Sequence, residues 1–484
     1  MKTGSLLDGV MPTAEAGACR DRLSAGLKRV LGEKGWLTDR LSINADASDW
    51  LGRTAASPIG VAKPASVEEV SAVVKLCRSA GVCITPQGGN TGLVGGALSM
   101  SETPGIILST SRLGRRLEID PVGMTVTVDA GVVLSRLHEV LEPSGLMLPL
   151  HLGSGGTAQI GGLIATNAGG SHAMRFGTMM DQVLGLEVVL ANGAIWDGMR
   201  PLIKDNAGYQ LRKLFCGSEG TLGIITGAVL RLLPAPRKIA TALVAVPDWE
   251  AAVAFGQMAR LELAEILTGL EFFSDLGVDL LRRHLPHIVF PLEIRSTAYV
   301  LIEVGTGLAV DPDSHLEGLL EQGFEAGCIL DGVVAASEKQ RRELWCFREE
   351  IPEAQRLEGI QLKHDISVPV SSLAEFIHSA REQCTKRLAG VRINSFGHLG
   401  DGNIHFNLSP PPGGAGFSGV EDGLSECIYR LSVQMGGSFA AEHGLGSLKV
   451  DHADRLRPAV ERDVMRHIKH ALDPENLLNP RTVV

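Results

Sequence analysis

The sequence predicts an α+β protein with more than one domain, and three observations support that prediction. Its 484 residues exceed the size at which a single hydrophobic core usually stops growing. Many of its 58 glycines fall in dense clusters between residues 88 and 223. After a Pro-Ala-Pro linker at 234–236, strand-like and helix-like segments alternate. Such alternation is typical of helices on one face of an antiparallel sheet.

The composition is that of an ordinary globular protein, with 44% hydrophobic and 21% charged residues. A formal net charge of −10, without an interleaved basic and aromatic patch, argues against a nucleic-acid partner. No uninterrupted apolar run approaches roughly 18 residues, and the first twenty residues lack a sustained apolar core. The eight cysteines show no Cys-x-x-Cys spacing, which is typical of free thiols. We therefore expect a cytoplasmic protein without a membrane span.

Helices and strands can be predicted along most of the chain, although 36–56 has no assignable pattern. A helix is expected to follow Ser66, because Ser66 and Glu69 match a capping box and apolar residues recur at helical spacing. The other predicted helices are 14–31, 132–141, 250–263, 314–322, 338–356 and 460–471. The predicted strands are 82–85, 124–129, 183–190, 239–246, 298–304, 328–333 and 360–367.

Three glycine clusters lie at 86–96, 149–170 and 205–226. Glycine-rich loops expose backbone N–H groups without Cβ obstruction, which suits a diphosphate. The clusters therefore predict several loops wrapped around one long cofactor, with plain turns in a β-rich domain as the alternative. Gly153, Gly155 and Ala158 formally match a dinucleotide fingerprint. That match lacks the hydrophobic strand before it and the acidic residue after the next strand that the fingerprint requires.

A hairpin is predicted at 394–407, because the run Gly-Asp-Gly-Asn at 400–403 accepts positive φ at little cost. His398 and His405 bracket its turn, so their imidazoles can converge, and Asn407 shares a face with His405. Glu442 and His443 lie in a glycine-rich loop farther on. Two histidines and a carboxylate suit a catalytic divalent metal and leave His443 as a base. Hydrogen-bonded histidines at a hairpin end are the alternative.

Together, the glycine clusters, the hairpin and the Glu-His loop resemble the FAD-linked D-2-hydroxyacid dehydrogenases. These belong to the vanillyl-alcohol-oxidase and p-cresol-methylhydroxylase flavoprotein superfamily. The resemblance runs from about residue 55 to the C-terminus and implies a two-lobed FAD domain beneath an α+β substrate domain with an antiparallel sheet. The implied parts are an N-terminal helical segment (1–55), the FAD domain (56–236), the substrate or cap domain (237–455) and a C-terminal helix returning to the FAD domain (456–484).

The resemblance also implies site residues. His398, His405 and Glu442 match the metal ligands, with zinc first and manganese, cobalt or iron as alternatives, and His443 matches the proton acceptor. Substrate-binding positions fall on Arg348, Lys363 and Asn407. Non-covalent FAD is expected at Pro86, Gln87, Gly88, Gly89, Asn90, Thr91, Gly92, Gly153, Ser154, Gly156, Thr157, Gly161, Gly162, Thr166, Asn167, Gly220, Gly223, Ile224 and Ile225.

The implied reaction is oxidation of a D-2-hydroxy acid to the 2-oxo acid, by hydride transfer to flavin N5 with His443 as base. Arg348 and Lys363 favour D-2-hydroxyglutarate; D-lactate, glycolate and D-malate are the alternatives. One departure is Pro352, which stands where hydroxyglutarate-selective relatives tend to carry a hydroxyl. An electron-transfer flavoprotein, a quinone or a cytochrome is expected as acceptor, and a homodimer is one option for assembly. A metal-dependent hydrolase and a non-catalytic binding protein remain as rival classes.

Overall fold

The computed structural model describes residues 13–50, 52–54, 58–98, 105–414 and 416–484, so residues 1–12 of the predicted N-terminal segment lie outside it. Its strands are β1 (Trp36–Leu37), β2 (Val61–Ala62), β3 (Cys83–Gln87), β4 (Gly105–Ser109), β5 (Leu117–Asp120), β6 (Thr125–Asp129), β7 (Leu146–Met147), β8 (Val183–Val189), β9 (Ile195–Gly198), β10 (Ile224–Arg231), β11 (Leu233–Pro234), β12 (Lys238–Val246), β13 (Leu267–Ser274), β14 (Ala298–Thr306), β15 (Asp331–Val334), β16 (Asp365–Ser367), β17 (Arg392–His398) and β18 (Asn403–Ser409).

The helices are α1 (Thr13–Leu31), α2 (Arg40–Asp46), α3 (Val67–Ala80), α4 (Leu134–Leu141), α5 (Ile160–Ala165), α6 (Ala173–Phe176), α7 (Met179–Gln182), α8 (Leu211–Phe215), α9 (Trp249–Glu262), α10 (Asp275–His284), α11 (Pro312–Glu325), α12 (Glu338–Glu349), α13 (Ile351–Glu358), α14 (Leu373–Arg387), α15 (Glu421–Gln434), α16 (Val450–Leu456) and α17 (Ala459–Leu472). None of these helices is long and apolar enough to cross a lipid bilayer.

The N-terminal half has two lobes, each with its own sheet and core. The first sheet has the order β1-β2-β4-β3, with parallel pairs β2–β4 and β3–β4, and the second is antiparallel in the order β5-β6-β10-β8-β9. Ile224 belongs to the hydrophobic core of the first lobe and Ile225 to that of the second. Because consecutive side chains of a strand point to opposite faces, the start of β10 joins the two cores.

The second half contains a seven-stranded antiparallel sheet in the order β15-β12-β14-β13-β17-β18-β16. Val244 of β12 belongs to a core that also contains residues of α9, α11, α14 and α15, whereas Ala245 belongs to a second core with residues of α10, α12 and α13. The predicted antiparallel sheet is confirmed, but the prediction that helices cover one face is wrong. Both faces of β12 are apolar, so both must be covered.

The start of α3 follows the predicted capping residue. The Ser66 hydroxyl accepts a hydrogen bond from the Glu69 N–H at 3.3 Å. In a capping box the Glu69 carboxylate would accept the N–H of Ser66. Here it accepts the N–H of the preceding residue, Ala65, at 2.7 Å. Ser66 is therefore the N-cap as predicted, while the return bond of the capping box is displaced by one residue.

The single helix predicted at 338–356 is wrong, because the structure has two. Glu350 separates α12 from α13, and Pro352 lies in the first turn of α13. Proline has no N–H to continue a helix but suits a first turn, where that N–H would be unpaired. Arg348 therefore lies in the last turn of α12, directly before the break.

The last residues of the chain lie against the first lobe. Ile84 of β3 forms a parallel bridge with Leu478, donates its N–H to Leu477 and accepts from the N–H of Asn479. The Lys469 ammonium of α17 donates to the carbonyl of Thr221 at 2.9 Å. The C-terminal segment thus completes the edge of the sheet that carries the first glycine cluster.

Candidate active site

The predicted hairpin is present and places both of its histidines on one site. In β17 and β18, Phe396 pairs with His405 and His398 pairs with Asn403, so the two imidazole centroids lie 5.9 Å apart. The turn needs glycine at Gly402, where φ is +80° and a Cβ would lie against the carbonyl oxygen of Val368. Glycine at this position therefore lets the turn of the hairpin pack against the backbone of Val368, directly after β16.

The predicted metal ligands converge on Glu442. His398 Nε2 lies 3.6 Å from Glu442 Oε1, and His405 Nε2 lies 3.8 Å from Glu442 Oε2. Ligand atoms bound at about 2.1 Å to one tetrahedral ion lie roughly 3.4 Å apart, and each histidine lies near that spacing from its own oxygen of Glu442. Among the described residues, the possible ligand atoms that all lie within 4.8 Å of one another belong to Asp365, His405, Glu442 and His443 and do not include His398. The Glu442 Oε1 atom also accepts the N–H of Gly170 at 2.8 Å, which ties the site to the second glycine cluster. The His443 ring stacks on the His405 ring, with centroids 5.8 Å apart.

Asp365 is a site residue that the sequence reasoning missed. Its ligand atoms lie within 4.8 Å of those of His405, Glu442 and His443. One carboxylate oxygen accepts from the side chain of Asn403 at 2.9 Å, and the other accepts the N–H groups of Glu442 and His443 at 2.8 and 2.9 Å. Because both oxygens are already engaged, Asp365 holds the Glu442–His443 loop in place.

Glu271 of β13 is the second missed residue. It is 1% exposed, and its two oxygens accept from His398 Nδ1 at 2.6 Å and from Arg348 Nε at 2.8 Å. Such a carboxylate fixes the tautomer and orientation of a ligand histidine and leaves Nε2 free to bind. The sequence does mark this residue, because Glu271 is the one charged residue in β13.

Burial and charge oppose each other in this cluster. Burial lowers the pKa of His405 to about 3, and the Asp365 and Glu442 carboxylates offset it only in part. Burial also disfavours the cation at His398, but the Glu271 and Glu442 carboxylates outweigh it and raise the His398 pKa well above its ordinary value. For Glu442, burial opposes ionisation, yet His398 and His405 bring its pKa well below the ordinary value. Glu442 is thus ionised, as a metal ligand must be, whereas His398 would have to give up the extra proton that the two carboxylates favour before it could bind a metal.

The three predicted substrate residues occupy different surroundings. Arg348 is bound to Glu271, with its guanidinium 4.9 Å from the centre of the Phe396 ring. Lys363 lies 4.7 Å from the centre of the Trp50 ring, and burial lowers its pKa to about 8. The Asn407 amide donates to Gln355 at 3.1 Å and accepts the N–H of His364 at 3.3 Å. Asn407 therefore belongs to an interior polar network in this structure. It lies two residues after His405 in β18, on the same face of the strand.

The three glycine clusters come together in space. A Cβ on Gly89 would lie against the carbonyl oxygen of Thr157, and one on Gly88 would lie 3.3 Å from Gly162 Cα. The third cluster joins them through the N–H of Gly217, which donates to the carbonyl of Ile164 at 3.0 Å. These contacts require glycine because two backbones meet without room for a side chain.

Comparison with known proteins identifies the family. A family model described as an FAD binding domain matches residues 58–198, and one described as the C-terminal domain of FAD linked oxidases matches residues 235–483. The chain belongs to the FAD-linked oxidase family. It is 35% identical, over 94% of its length, to the mitochondrial D-2-hydroxyglutarate dehydrogenase of Bos taurus, and covers 82% of that protein. It is also 35% identical to D-2-hydroxyglutarate dehydrogenase of Xanthomonas citri pv. viticola, over 89% of this chain and 90% of the relative.

Solved structures share the fold of this FAD-linked oxidase. p-Cresol methylhydroxylase with substrate bound aligns with a TM-score of 0.75 at 16% identity, over 96% of this chain and 97% of that one. Alkyldihydroxyacetonephosphate synthase aligns with a TM-score of 0.73 at 18% identity, over 95% and 86% of the two chains. The predicted fold class is confirmed. So are the predicted family and activity: the protein is an FAD-dependent D-2-hydroxyacid dehydrogenase.

The residues predicted to hold FAD fall into two groups. Gly92, Gly153 and Gly156 have open space where a Cβ would stand, so a ligand can approach their backbone closely. The polar side chains of Gln87, Asn90 and other members of the predicted set bind the protein instead. Gln87 donates to the carbonyls of Asp46 and Ala97, Asn90 to that of Ser48 and Thr166 to that of Gly162, while Asn167 accepts the N–H of Met180. Backbone groups therefore remain to bind the diphosphate of the cofactor.

Glu219 connects the second and third glycine clusters of this FAD-linked oxidase to the loop that carries Glu442 and His443. Its two oxygens accept the N–H groups of Leu445 and Gly446, both at 2.8 Å. Its own N–H donates to the carbonyl of Ala165, and its carbonyl accepts from the Asn479 side chain. Glu219 adopts φ +50°, a strained value for a residue other than glycine. The sequence reasoning assigned its neighbours to the cofactor and did not single out this residue.

Proposed function

We propose that this dehydrogenase oxidises D-2-hydroxyglutarate at a site where His398, His405 and Glu442 hold a divalent metal, with zinc as the first choice, and His443 is the base. The observation that carries the proposal is the convergence of both imidazoles on the Glu442 carboxylate, with separations of 3.6 and 3.8 Å. The names of the Bos taurus and Xanthomonas relatives support the choice of substrate.

Bound FAD supplies the acceptor for the hydride that leaves C2, and a bound divalent ion supplies the Lewis acid that lowers the pKa of the substrate hydroxyl. Nitrogen and carboxylate donors in this arrangement suit zinc, manganese, cobalt or iron. The contribution of the protein is to keep these donors aligned. Glu271 orients His398 from behind, and Gly170 fixes one oxygen of Glu442.

His443 accepts the hydroxyl proton. Its Nδ1 lies 3.6 Å from the Asp365 carboxylate, which favours the proton on that nitrogen and leaves Nε2 as the basic atom. The backbone N–H of His443 donates to the same Asp365 carboxylate, so the residue is held through its backbone beside that carboxylate. A base fixed in this way avoids the entropic cost of finding the proton in each turnover.

Arg348 binds a substrate carboxylate. Its Nε is occupied by Glu271, and among the described residues no hydrogen bond occupies its two terminal nitrogens. Those nitrogens present the planar edge that pairs with a carboxylate. Phe396 stacks under the guanidinium and limits its rotation.

Lys363 binds the distal carboxylate of the dicarboxylic acid. It stands within electrostatic range of two further cations, Arg53 and Arg356, although Glu353 offsets part of their charge. Pro352 offers no hydroxyl at the start of α13, so this lysine supplies the distal contact instead.

The test is a stopped-flow panel in which D-2-hydroxyglutarate, D-lactate, D-malate, glycolate and L-2-hydroxyglutarate are mixed anaerobically with the flavin-loaded protein. D-2-Hydroxyglutarate should bleach the flavin fastest, and the L-acid should leave it oxidised. Faster bleaching by D-lactate would contradict the substrate, and no bleaching by any acid would contradict the whole proposal. Metal removal by a chelator should abolish bleaching while the flavin absorbance stays. Unchanged bleaching in metal-free protein would contradict the metal role alone.

A further inference from the structure

A pair of cysteines lies away from the active site, between α14 and α15. Cys384 of α14 and Cys427 of α15 are both buried, with their sulfur atoms 4.0 Å apart. The sulfur of Cys427 also lies 3.1 Å from the carbonyl oxygen of Leu424, one turn earlier in α15. The two helices pack on the same face of the seven-stranded sheet, so this contact belongs to the core.

A cavity of about 190 Å³ opens onto only one of the two thiols. It is lined by residues of the same two helices, including Cys427, Arg387 and Arg430, whereas Cys384 is not among them and has no exposed surface. A cavity of this volume admits a small molecule such as a peroxide. Cys427 is therefore the thiol that a small molecule in the cavity can reach, and Cys384 lies beyond it in the core.

The surroundings make Cys427 the more reactive thiol. The hydrogen bond shared with Cys384 and the nearby Arg387 guanidinium together outweigh burial and lower the Cys427 pKa to about 7. The same hydrogen bond, together with burial, raises the pKa of Cys384. Since the thiolate is the nucleophile, Cys427 attacks first and Cys384 follows.

We propose that Cys384 and Cys427 form a redox modification site whose substrate is a hydroperoxide. The Cys427 thiolate attacks one oxygen of hydrogen peroxide, the O–O bond breaks, and the sulfur becomes a sulfenic acid while the other oxygen takes up a proton from solvent and leaves as water. Cys384 then attacks that sulfur, the S–O bond breaks, a second water leaves, and the S–S bond forms. Two thiols lose two electrons and two protons in total, and hydrogen peroxide is reduced to two waters. Formation of the S–S bond requires the sulfurs, now 4.0 Å apart, to approach each other by about 2 Å.

The test treats the flavin-loaded protein at pH 7 with hydrogen peroxide and then blocks the remaining thiols by alkylation. Intact mass should fall by two hydrogens, a non-reducing digest should yield a linked peptide containing Cys384 and Cys427, and dithiothreitol should reverse both changes. Oxidation of Cys328 or Cys346 ahead of this pair would overturn the proposal, since both are more exposed and neither is proposed to react.

Two variants separate the roles of the thiols, and flavin absorbance checks that each is folded. In Cys384→Ala, Cys427 should accumulate as a sulfenic acid that dimedone traps. In Cys427→Ala, oxidation of Cys384 should slow by about tenfold or more, because its own thiolate fraction is small. The matched control Cys346→Ala should form the linked peptide at the wild-type rate. Equal oxidation rates in all three variants would show that the two thiols do not act as a pair.

Discussion

Glu271 serves two functional side chains at once. One oxygen fixes the imidazole of His398, and the other fixes the guanidinium of Arg348. The proposed metal ligand and the proposed carboxylate clamp therefore share one buried anion. A change at this residue should disturb both metal binding and substrate binding.

Glu271→Gln should lower metal affinity by about 10–100-fold. Glutamine offers a single acceptor oxygen, and its NH₂ group would face either the N–H of His398 or that of Arg348. Metal content after dialysis, together with KM for D-2-hydroxyglutarate, measures the effect. The control is Glu303→Gln, which alters another buried carboxylate of the same sheet, paired with Arg341 and Trp345. Equal metal loss in both variants would refute a specific role for Glu271.

His443→Ala should slow flavin reduction by about 10²-fold or more, because the substrate proton then has no positioned acceptor. Anaerobic stopped-flow absorbance at saturating substrate isolates this step. Metal content should stay at the wild-type level, since His443 is proposed as the base and not as a ligand. Flavin reduction at the wild-type rate would remove His443 from that role.

Lys363 gives the reaction a pH dependence that is specific to dicarboxylates. Burial lowers its pKa from 10.5 to about 8, so the side chain is charged below pH 8 and becomes neutral above it. KM for D-2-hydroxyglutarate should be level below pH 8 and rise by up to about tenfold per unit above it, while KM for D-lactate should not show this rise. In Lys363→Arg the rise should disappear, because arginine stays charged. Parallel profiles for the two acids would contradict contact with the distal carboxylate.

At the scale of elements, the tight turn of the β17–β18 hairpin sets the position of the two histidines. Gly402→Ala should destabilise the protein by roughly 3 kcal/mol or more, because a methyl group would meet the Val368 carbonyl at positive φ. The control Gly436→Ala has φ +77° but no atom within 4 Å of its Cβ, so it should lose only about 1–2 kcal/mol. Urea unfolding measures both. Equal losses would show that the carbonyl contact is unimportant.

The sequence predicted elements well where the signal is local. The Gly-Asp-Gly-Asn run predicted the hairpin, and Ser66 predicted the start of α3. The break between α12 and α13 was missed although Pro352 indicates it. The apolar run of β12 likewise indicated that both faces of its sheet are covered.

The site was only partly predictable, for a physical reason. His398 and His405 flank the glycine-rich turn between β17 and β18, Glu442 and His443 stand in a glycine-rich loop, and the structure brings the four together. Glu271 and Asp365 lie within strands, and their partners come from elements far away in the chain. Strand order and register, which no local pattern contains, decide which side chains they meet.

At the scale of the whole molecule, Glu219 connects the loops proposed to bind the cofactor to the loop proposed to carry out catalysis. Its carboxylate holds the loop that follows Glu442 and His443, and its backbone holds the flavin-binding segment at Ala165. The two halves of the chain are thus joined at the point where the flavin and the substrate must meet.

Glu219→Gln should weaken this connection, because the glutamine NH₂ must face the N–H of Leu445 or Gly446 and leave that N–H unpaired. An unpaired buried N–H costs about 1–3 kcal/mol of stability. Hydrogen exchange at 442–446 should accelerate, and both metal and FAD should dissociate faster. Glu187→Gln is the control, since that carboxylate binds Arg116 and Thr226 within the second lobe. Unchanged exchange at 442–446 in Glu219→Gln would contradict the connection.

The hydrogen bond from Asn479 to the carbonyl of Glu219 joins residues 260 positions apart. A ribosome that adds about 5–20 residues per second needs roughly 10–50 s to travel between them. During that interval the nascent N-terminal half lacks both the hydrogen bond from Asn479 to Glu219 and the bridge between Leu478 and Ile84. These two contacts can therefore form only after the far end of the message has been translated.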